Sequence, residues 1–222
     1  MSGRNYGQAC SVANFLDRLG SRWTLLIIRD LLIGPRRYKD LLEGLAGIGT
    51  NLLARRLQEL QALEVIEKSR DTDTAGVVYV LTEKGQALEP AIMSMAVWGM
   101  QHLRADSAGK LNRPDLLVVA FRAAFNANQA EGISESYELR IGETVFHAQV
   151  DNGKLSTGLG TAEHPALVYI TDEETFDRLA FGELSPESAR ENGVLEIIGD
   201  ESAFQRFLSV FSSPDKHREF AA

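Results

Sequence analysis

The chain is poor in the residues that bind metals or cross-link a fold. Among its 222 residues there is one cysteine, Cys10, and there are four histidines, which are spread from His102 to His217. A single cysteine excludes an intramolecular disulfide. The scattered histidines form no ligand cluster of the kind that holds structural zinc. We therefore expect the protein to contain no metal site and to need no cofactor.

Long hydrophobic runs are also absent. No apolar stretch approaches the roughly 18 residues that a membrane-spanning helix needs. The N-terminus lacks a basic segment followed by a hydrophobic core, which a secretory signal would have. We therefore expect no membrane partner and a cytoplasmic location.

Catalytic motifs are missing as well. The sequence contains no GxSxG elbow, no HExxH helix, no P-loop and no complete GxGxxG. The nearest fragments, GIG at residues 47–49 and GLG at residues 158–160, lack the rest of the dinucleotide-binding pattern. We therefore expect a protein that is not an enzyme.

Positive charge is scarce overall but unevenly distributed. The net charge of −8 argues against a protein that coats nucleic acid without regard to sequence, because such binding pairs many basic residues with phosphates. Residues 1–106 carry a net charge of +1, whereas residues 107–222 carry −9. We therefore expect the two halves to meet different partners. Residues 34–58 form a basic patch that contains Arg36, Arg37, Lys39, Arg55 and Arg56.

Composition and turn signals predict two globular domains. The chain is 44% hydrophobic and 24% charged, which is typical of a folded protein. The polar segment RADSAGKLNRP at residues 104–114 contains glycine and ends in proline. We place the boundary there, between a domain at residues 1–106 and a domain at residues 107–222.

The first half predicts four helices followed by a β-ribbon and a further helix. Two helices are broken near Gly20, and a third follows Pro35, which cannot continue the second. We expect Thr50 to cap the fourth helix. The fourth helix has a buried stripe at i, i+4 and i+7, formed by Leu53, Leu57 and Leu60. The β-branched runs VIEKS and VVYVLT then flank a hairpin loop. Pro90 either kinks the last helix or marks a later start for it.

This order of elements is that of a winged helix-turn-helix, and it predicts that the fourth helix reads DNA. A helix fits the major groove, where its exposed side chains reach base edges. Arg55 and Gln58 are the expected base readers, because arginine pairs with guanine and glutamine with adenine. Thr50 and Asn51 lie at the positive end of the helix dipole, where we expect phosphate. The flanking backbone contacts are expected from Arg36, Arg37, Lys39, Lys68 and Arg70.

Two alternatives to DNA reading remain for this half. Exposed arginines on an amphipathic helix are often only a solvated face. Some winged helices also mediate protein contacts without binding nucleic acid.

Several motifs in the first half occur in an order that is specific to one family. They are Cys10, GSRWTLLIIRDLLIGPRRYKDL, LARRLQELQ, YVLTEKG and the WG at Trp98 and Gly99. Residues 10–103 thereby resemble the HxlR family of bacterial transcriptional regulators. The resemblance implies a homodimer that is joined through its terminal helices and binds a double-stranded operator with two half-sites. The wing departs from the family pattern at Asp71 and Asp73, which should repel phosphate, so we expect the wing tip to stay out of the groove.

Cys10 has two interpretations. The resemblance implies a sensor of oxidants or electrophiles, which requires a thiolate favoured by nearby positive charge. Free cysteines are more often small buried residues, and we favour that interpretation for Cys10 in the first helix.

The second half predicts an α+β domain. A buried helix at DLLVVAFRAAFNANQ precedes four strand-like runs, YELRI, TVFHAQV, ALVYIT and VLEII, with helices around EETFDRLAFG and ESAFQRFLSVF. The ordered segments DNGK, FGELSP and IIGD resemble the sterol carrier protein type 2 domain. The resemblance implies a mixed sheet covered by helices, with an apolar cavity for fatty acyl or sterol-like molecules.

Phenylalanines are the expected lining of that cavity. Large apolar side chains line most ligand pockets, and residues 114–212 hold eight of the ten phenylalanines. The alternative for each of them is simple packing in the core. The six that we expect to contact a ligand are Phe121, Phe125, Phe146, Phe176, Phe181 and Phe207.

Together the two halves predict a DNA-binding transcriptional regulator that responds to a hydrophobic small molecule. An acidic domain opposes phosphate, so the second half is expected to control the DNA reader and not to touch DNA itself. The alternative is a lipid or acyl carrier, or a protein-interaction module, whose winged helix does not read DNA.

Overall fold

A computed structural model describes residues 5–70, 76–102, 113, 115–180 and 182–211. The chain forms two compact units, Met1–Ile92 and Met93–Ala222. The predicted domain boundary after residue 106 falls outside the described residues and stays a prediction. No helix in the described ranges is long and apolar enough to cross a bilayer.

The first unit has the predicted order of helices followed by a ribbon. Its elements are α1 (Ser11–Leu19), α2 (Thr24–Ile33), α3 (Tyr38–Gly44), α4 (Thr50–Ala62), β1 (Ile66–Arg70), β2 (Val77–Leu81) and α5 (Glu83–Gln86), and α6 (Glu89–His102) continues into the second unit. β1 and β2 pair in antiparallel fashion. The predicted winged helix-turn-helix is therefore present.

The break between α1 and α2 depends on Gly20. A Cβ atom at this position would lie 2.5 Å from the carbonyl oxygen of Leu16, which is closer than any side chain tolerates. Trp23 then precedes α2 in the left-handed conformation, with φ at 80°. The chain therefore changes direction where the sequence predicted a break.

Helix α4 carries the predicted leucine stripe, but its cap differs from the prediction. Leu53, Leu57 and Leu60 are all buried. Thr50 is the first helical residue and not the cap, so that prediction is wrong. Gly49 is the cap, because its carbonyl oxygen accepts the Leu53 N–H at 3.0 Å and so starts the helix one residue earlier.

Pro90 marks a later helix start. Thr82 caps the short helix α5 by accepting a hydrogen bond from the Gly85 N–H at 3.2 Å, and α5 ends at Gln86. Helix α6 begins at Glu89, so Pro90 is its second residue. A proline there costs no hydrogen bond, since the first N–H groups of a helix have no partner within it.

The wing contains one more bridge than the sequence predicted. The Arg36 N–H donates to the Tyr79 carbonyl at 3.1 Å, and the Tyr79 N–H donates to the Arg36 carbonyl at 2.8 Å. The segment after α2 is therefore joined to β2 by an isolated antiparallel bridge.

The second unit is built on a five-stranded mixed sheet. Its further elements are α7 (Leu116–Ala124), β3 (Ser134–Ile141), β4 (Thr144–Asp151), β5 (Lys154–Leu159), β6 (Leu167–Thr171), α8 (Glu173–Ala180), α9 (Pro186–Glu191), β7 (Leu195–Gly199) and α10 (Glu201–Val210). The strand order is β5-β4-β3-β6-β7. Only the β3–β6 pair is parallel among the described strands. The predicted α+β fold with a mixed sheet is confirmed.

Two elements of this unit were not predicted. Strand β5 has the sequence KLSTGL, whose polar residues and glycine suit an edge strand that is only partly buried. Helix α9 is a single short segment that starts with Pro186 after the capping residue Ser185. Neither segment has the apolar periodicity on which the sequence predictions depended.

The two faces of the sheet differ in chemistry. One face packs alternate side chains of β3 and β4, such as Tyr137 and Phe146, into the core with α7 and α10. On the other face Glu138 is buried and accepts hydrogen bonds from Arg140 Nε at 2.7 Å and from the Ala162 N–H at 2.9 Å. Although burial acts to raise its pKa, these bonds hold the pKa of Glu138 below its usual value.

Candidate nucleic-acid interface

Helix α4 presents a polar face opposite its buried leucines. Asn51, Arg55 and Gln58 are all exposed, as is Thr50 at the start of the helix. The Tyr38 hydroxyl donates to the Thr50 carbonyl oxygen at 2.7 Å and joins the start of α3 to the start of α4. The four predicted contacts on α4 are therefore accessible from solvent.

The two arginines of α4 occupy different environments. Arg55 is 57% exposed, with its Nε 3.2 Å from Glu59 Oε1. Arg56 is only 11% exposed and pairs with the other oxygen of the same carboxylate. Glu59 was not predicted as part of this face, although its position four residues after Arg55 is the spacing of a helical ion pair.

The basic residues before α4 differ in exposure and in their contacts within the protein. Arg37 and Lys39 are exposed, and Lys39 Nζ lies 3.5 Å from Glu43. Arg36 is half-buried, with Nε 3.5 Å from the Asp30 carbonyl oxygen. Arg37 and Lys39 lie on either side of Tyr38, which contacts α4, and both are more exposed than Arg36.

The wing supplies two further cations. Lys68 and Arg70 are both exposed on β1. Lys68 Nζ lies 5.7 Å from the centre of the Tyr79 ring, which is a cation–π distance. Asp71 and Asp73 lie outside the described residues, so the expectation for the wing tip stays a prediction.

Cys10 is exposed, so the expectation of a buried residue is wrong. It is the capping position before α1 and not a residue of the helix, and α1 directs Ala13 and Leu19 to the core instead. Hydrogen bonds from the backbone N–H groups of Ala13 and Val12 lower the pKa of the Cys10 thiol. An accessible thiol with a lowered pKa is the chemical requirement of a reactive cysteine.

Four of the six predicted ligand-binding phenylalanines, Phe121, Phe125, Phe146 and Phe207, belong to one aromatic cluster in the second unit. Phe121, Phe146 and Phe207 are buried in the core, and Phe125 and Phe176 lie partly buried at its margin. Phe181 lies outside the described residues. Rings of the cluster touch directly: Phe121 stacks on Phe211 at 4.0 Å and meets Phe146 edge-on at 5.6 Å.

Two tyrosines of the sheet join the aromatic cluster and were not singled out from the sequence. Tyr137 and Tyr169 each contact the Phe207 ring. The Tyr137 hydroxyl donates to Glu135 Oε2 at 2.7 Å. Burial raises the pKa of Tyr137, and the Glu135 carboxylate raises it further. Burial also raises the pKa of Tyr169. Tyr137 lies between the polar residues Ser136 and Glu138 in β3, and this alternation was the available signal for it. Tyr169 lies between Val168 and Ile170 in β6 and had no such signal.

In the part of the chain that the structure describes, no three His, Cys, Asp or Glu side chains are grouped so as to hold a metal ion.

The sequence matches two families. Residues 18–107 match the HxlR-like helix-turn-helix family, and residues 103–220 match the alkyl sulfatase C-terminal family. The HTH-type transcriptional regulator YodB of Bacillus subtilis is 42% identical over 84 residues, which are 37% of this chain and 75% of YodB. The uncharacterized HTH-type transcriptional regulator sll1512 of Synechocystis is 30% identical over 102 residues, which are 46% of this chain and 76% of that relative.

One solved structure is similar to part of this chain. The reduced form of YodB from B. subtilis aligns with 36% identity and a TM-score of 0.38, and covers 44% of this chain and 97% of that one.

Proposed function

The chain belongs to the HxlR-like helix-turn-helix family and to the alkyl sulfatase C-terminal family, and we propose that its helix α4 reads an operator. It is a DNA-binding transcriptional regulator. The observation that carries this proposal is the exposed row of Asn51, Arg55 and Gln58 opposite three buried leucines. Arg55 pairs with a guanine and Gln58 with an adenine in the major groove.

Phosphate contacts surround this reading face in the proposal. Arg37 and Lys39 bind the backbone beside the start of α4, together with the exposed Thr50. Lys68 and Arg70 bind it from the wing. Arg36 contributes less, since its guanidinium already contacts the Asp30 carbonyl. These contacts set the register and the affinity, whereas α4 sets the sequence preference.

The regulator acts as a homodimer in this proposal. Helix α1 exposes Val12 and Leu16 one turn apart, and α6 exposes Met95 and Trp98 one turn apart. Exposed apolar side chains in such rows are typical of protein interfaces. Mass photometry of wild type and of Val12→Asp tests this, and a variant that stays dimeric contradicts a role for α1.

The second unit binds a hydrophobic effector in this proposal, as a sterol-carrier-like domain. The aromatic cluster supports it, since Phe125 and Phe176 at its margin are only partly buried. A ligand must separate rings that now touch, such as Phe125 and Phe211, whose centres are 5.8 Å apart. Effector binding changes DNA affinity only if the effector prefers one arrangement of the dimer.

Effector binding is tested by native mass spectrometry of gently purified protein, with acyl chains and sterols added. Phe125→Ala should lose the adduct. Ile198→Ala is the control, because Ile198 is exposed on the other face of the sheet. No adduct with any acyl or sterol probe would contradict the effector domain, while adduct formation without DNA binding would favour the alternative of a lipid carrier.

The operator is tested by capture of fragmented genomic DNA from the source organism, with protein as purified and protein stripped of lipid. A palindromic site that is enriched in both states supports the regulator. A change in enrichment on stripping supports the effector. No enrichment in either state contradicts operator reading by α4.

A second proposal concerns Cys10, and its exposure at the start of α1 supports it. We infer that addition of an electrophile to this thiol alters operator binding. Since Cys10 is the only cysteine, any thiol adduct lies there. Treatment with a quinone should change the operator affinity of wild type and leave Cys10→Ser unchanged; equal behaviour of the two proteins would refute the sensor.

A further inference from the structure

Glu59 places a carboxylate on the DNA-facing side of α4, where an acidic group repels phosphate. Its Oε1 lies 3.2 Å from Arg55 Nε, and its Oε2 pairs with Arg56 Nη1. One carboxylate therefore holds two guanidinium groups, with one oxygen for each. Glu59 cannot itself bind the DNA backbone, because its carboxylate and the phosphates are both negative.

The two ion pairs of Glu59 differ in how easily they open. Arg56 is 11% exposed, and its Nε is buried without a hydrogen-bond partner among the described residues. A desolvated cation that loses its counter-charge is strongly unfavourable, so the Arg56–Glu59 pair stays closed. Arg55 is 57% exposed, and an exposed pair of this kind opens readily. Glu59 is therefore held in place by Arg56, and Arg55 is the partner that can leave.

A fixed Glu59 orients Arg55. The Arg55 pair is made through Nε, which leaves both Nη atoms at the outer end of the side chain. These terminal nitrogens form the fork that reaches O6 and N7 of guanine. The same carboxylate neutralises the charge of Arg55, so a phosphate has to compete with Glu59 for it.

We propose that Glu59 is a positioning residue for base readout, which aligns Arg55 for a guanine and withholds its charge from phosphates of unrelated DNA. The inference rests on the proposed function, in which α4 reads the operator. Arg55 then contributes to affinity where a guanine accepts both of its terminal nitrogens, and contributes little on other sequences.

The test compares the dissociation constants for the captured operator and for a scrambled duplex over a series of salt concentrations. Glu59→Gln should bind the scrambled duplex more tightly, with a salt slope steeper by about 1 because one more phosphate is contacted. The ratio of scrambled to operator dissociation constants should fall about twofold, in keeping with the small free energy of an exposed i,i+4 ion pair. In an Arg55→Ala background, Glu59→Gln should leave that ratio unchanged.

Glu43→Gln is the matched control. Glu43 pairs with Lys39 at i,i+4 on α3, and both side chains are exposed. The control removes the same charge from the same unit, so the two dissociation constants should fall together and the ratio should stay at the wild-type value.

Glu59→Asp keeps the test decisive if Glu59→Gln loses helical circular dichroism. Aspartate keeps the charge but withdraws it by one methylene from Arg55, so the ratio should fall while the salt slope stays near the wild-type value. A wild-type ratio in both variants overturns the role of Glu59, as does an equal fall in the Arg55→Ala background. Wild-type protein that does not distinguish the two duplexes contradicts the proposed function itself.

Discussion

Leu53 and Arg55 lie two residues apart on α4. Replacing each of them by alanine should separate the contribution of α4 to fold stability from its contribution to DNA binding. Leu53 is completely buried in the first unit. Leu53→Ala leaves a cavity and should lower the free energy of unfolding by about 2–5 kcal/mol. In a unit of this size about 4–8 °C of Tm is lost per kcal/mol, so we expect a fall of roughly 8–40 °C.

Arg55→Ala should leave stability nearly unchanged and reduce operator binding. Its exposed i,i+4 pair with Glu59 contributes about 0.3–0.5 kcal/mol. The higher helix propensity of alanine offsets part of this loss. Loss of a bidentate contact with guanine costs about 1–3 kcal/mol, which corresponds to an affinity about 5–150-fold weaker.

The assay combines thermal unfolding followed by circular dichroism with fluorescence anisotropy on operator and scrambled duplexes. Arg178→Ala is the control, because it removes one exposed positive charge from α8 in the other unit. The reasoning is refuted if Arg55→Ala lowers Tm as far as Leu53→Ala does. It is also refuted if Arg55→Ala keeps the operator affinity of the control.

Three further predictions concern stability. Glu138→Gln should destabilise the second unit by about 1–3 kcal/mol at neutral pH. Because the pKa of Glu138 is lowered in the fold, its contribution is complete above the usual glutamate pKa and is lost as the pH falls through the lower folded value. Urea unfolding at neutral and acidic pH should therefore show a weaker pH dependence for this variant, and an unchanged dependence would contradict the prediction. Gly20→Ala forces a Cβ against Leu16 and should cost about 1–3 kcal/mol in thermal unfolding of the first unit, so a wild-type Tm would count against the steric argument. Asp172→Ala removes the acceptor for a backbone N–H at the start of α8 and should cost about 0.5–2 kcal/mol in urea, with Asp172→Asn recovering most of it.

The DNA-binding half was predictable because its signals are local. The leucines of α4 recur at helical spacing, and the breaks at Gly20 and Pro35 act on the residues beside them. The cap of α4 was misplaced by one residue because Thr50 and Gly49 both suit a helix start. Local pattern therefore identifies such a helix better than its exact end.

Cys10 illustrates a limit of general tendencies. Free cysteines are usually buried, and that tendency favoured burial here. The actual exposure depends on where α1 begins and on which of its faces packs, and α1 turns Ala13 inward. A residue just before a helix carries no periodic signal of its own, so its environment was not predictable.

The sequence by itself determined the order of elements, the buried face of α4 and the set of charges available to it. These follow from spacing and turn chemistry within a few residues, where the backbone leaves little choice. Only the tertiary structure decided the pairing of Arg36 with Tyr79 and the stacking of Phe121 on Phe211. These partners are far apart in the chain, and they meet only because burial of the whole core selects one arrangement among many that the local pattern allows.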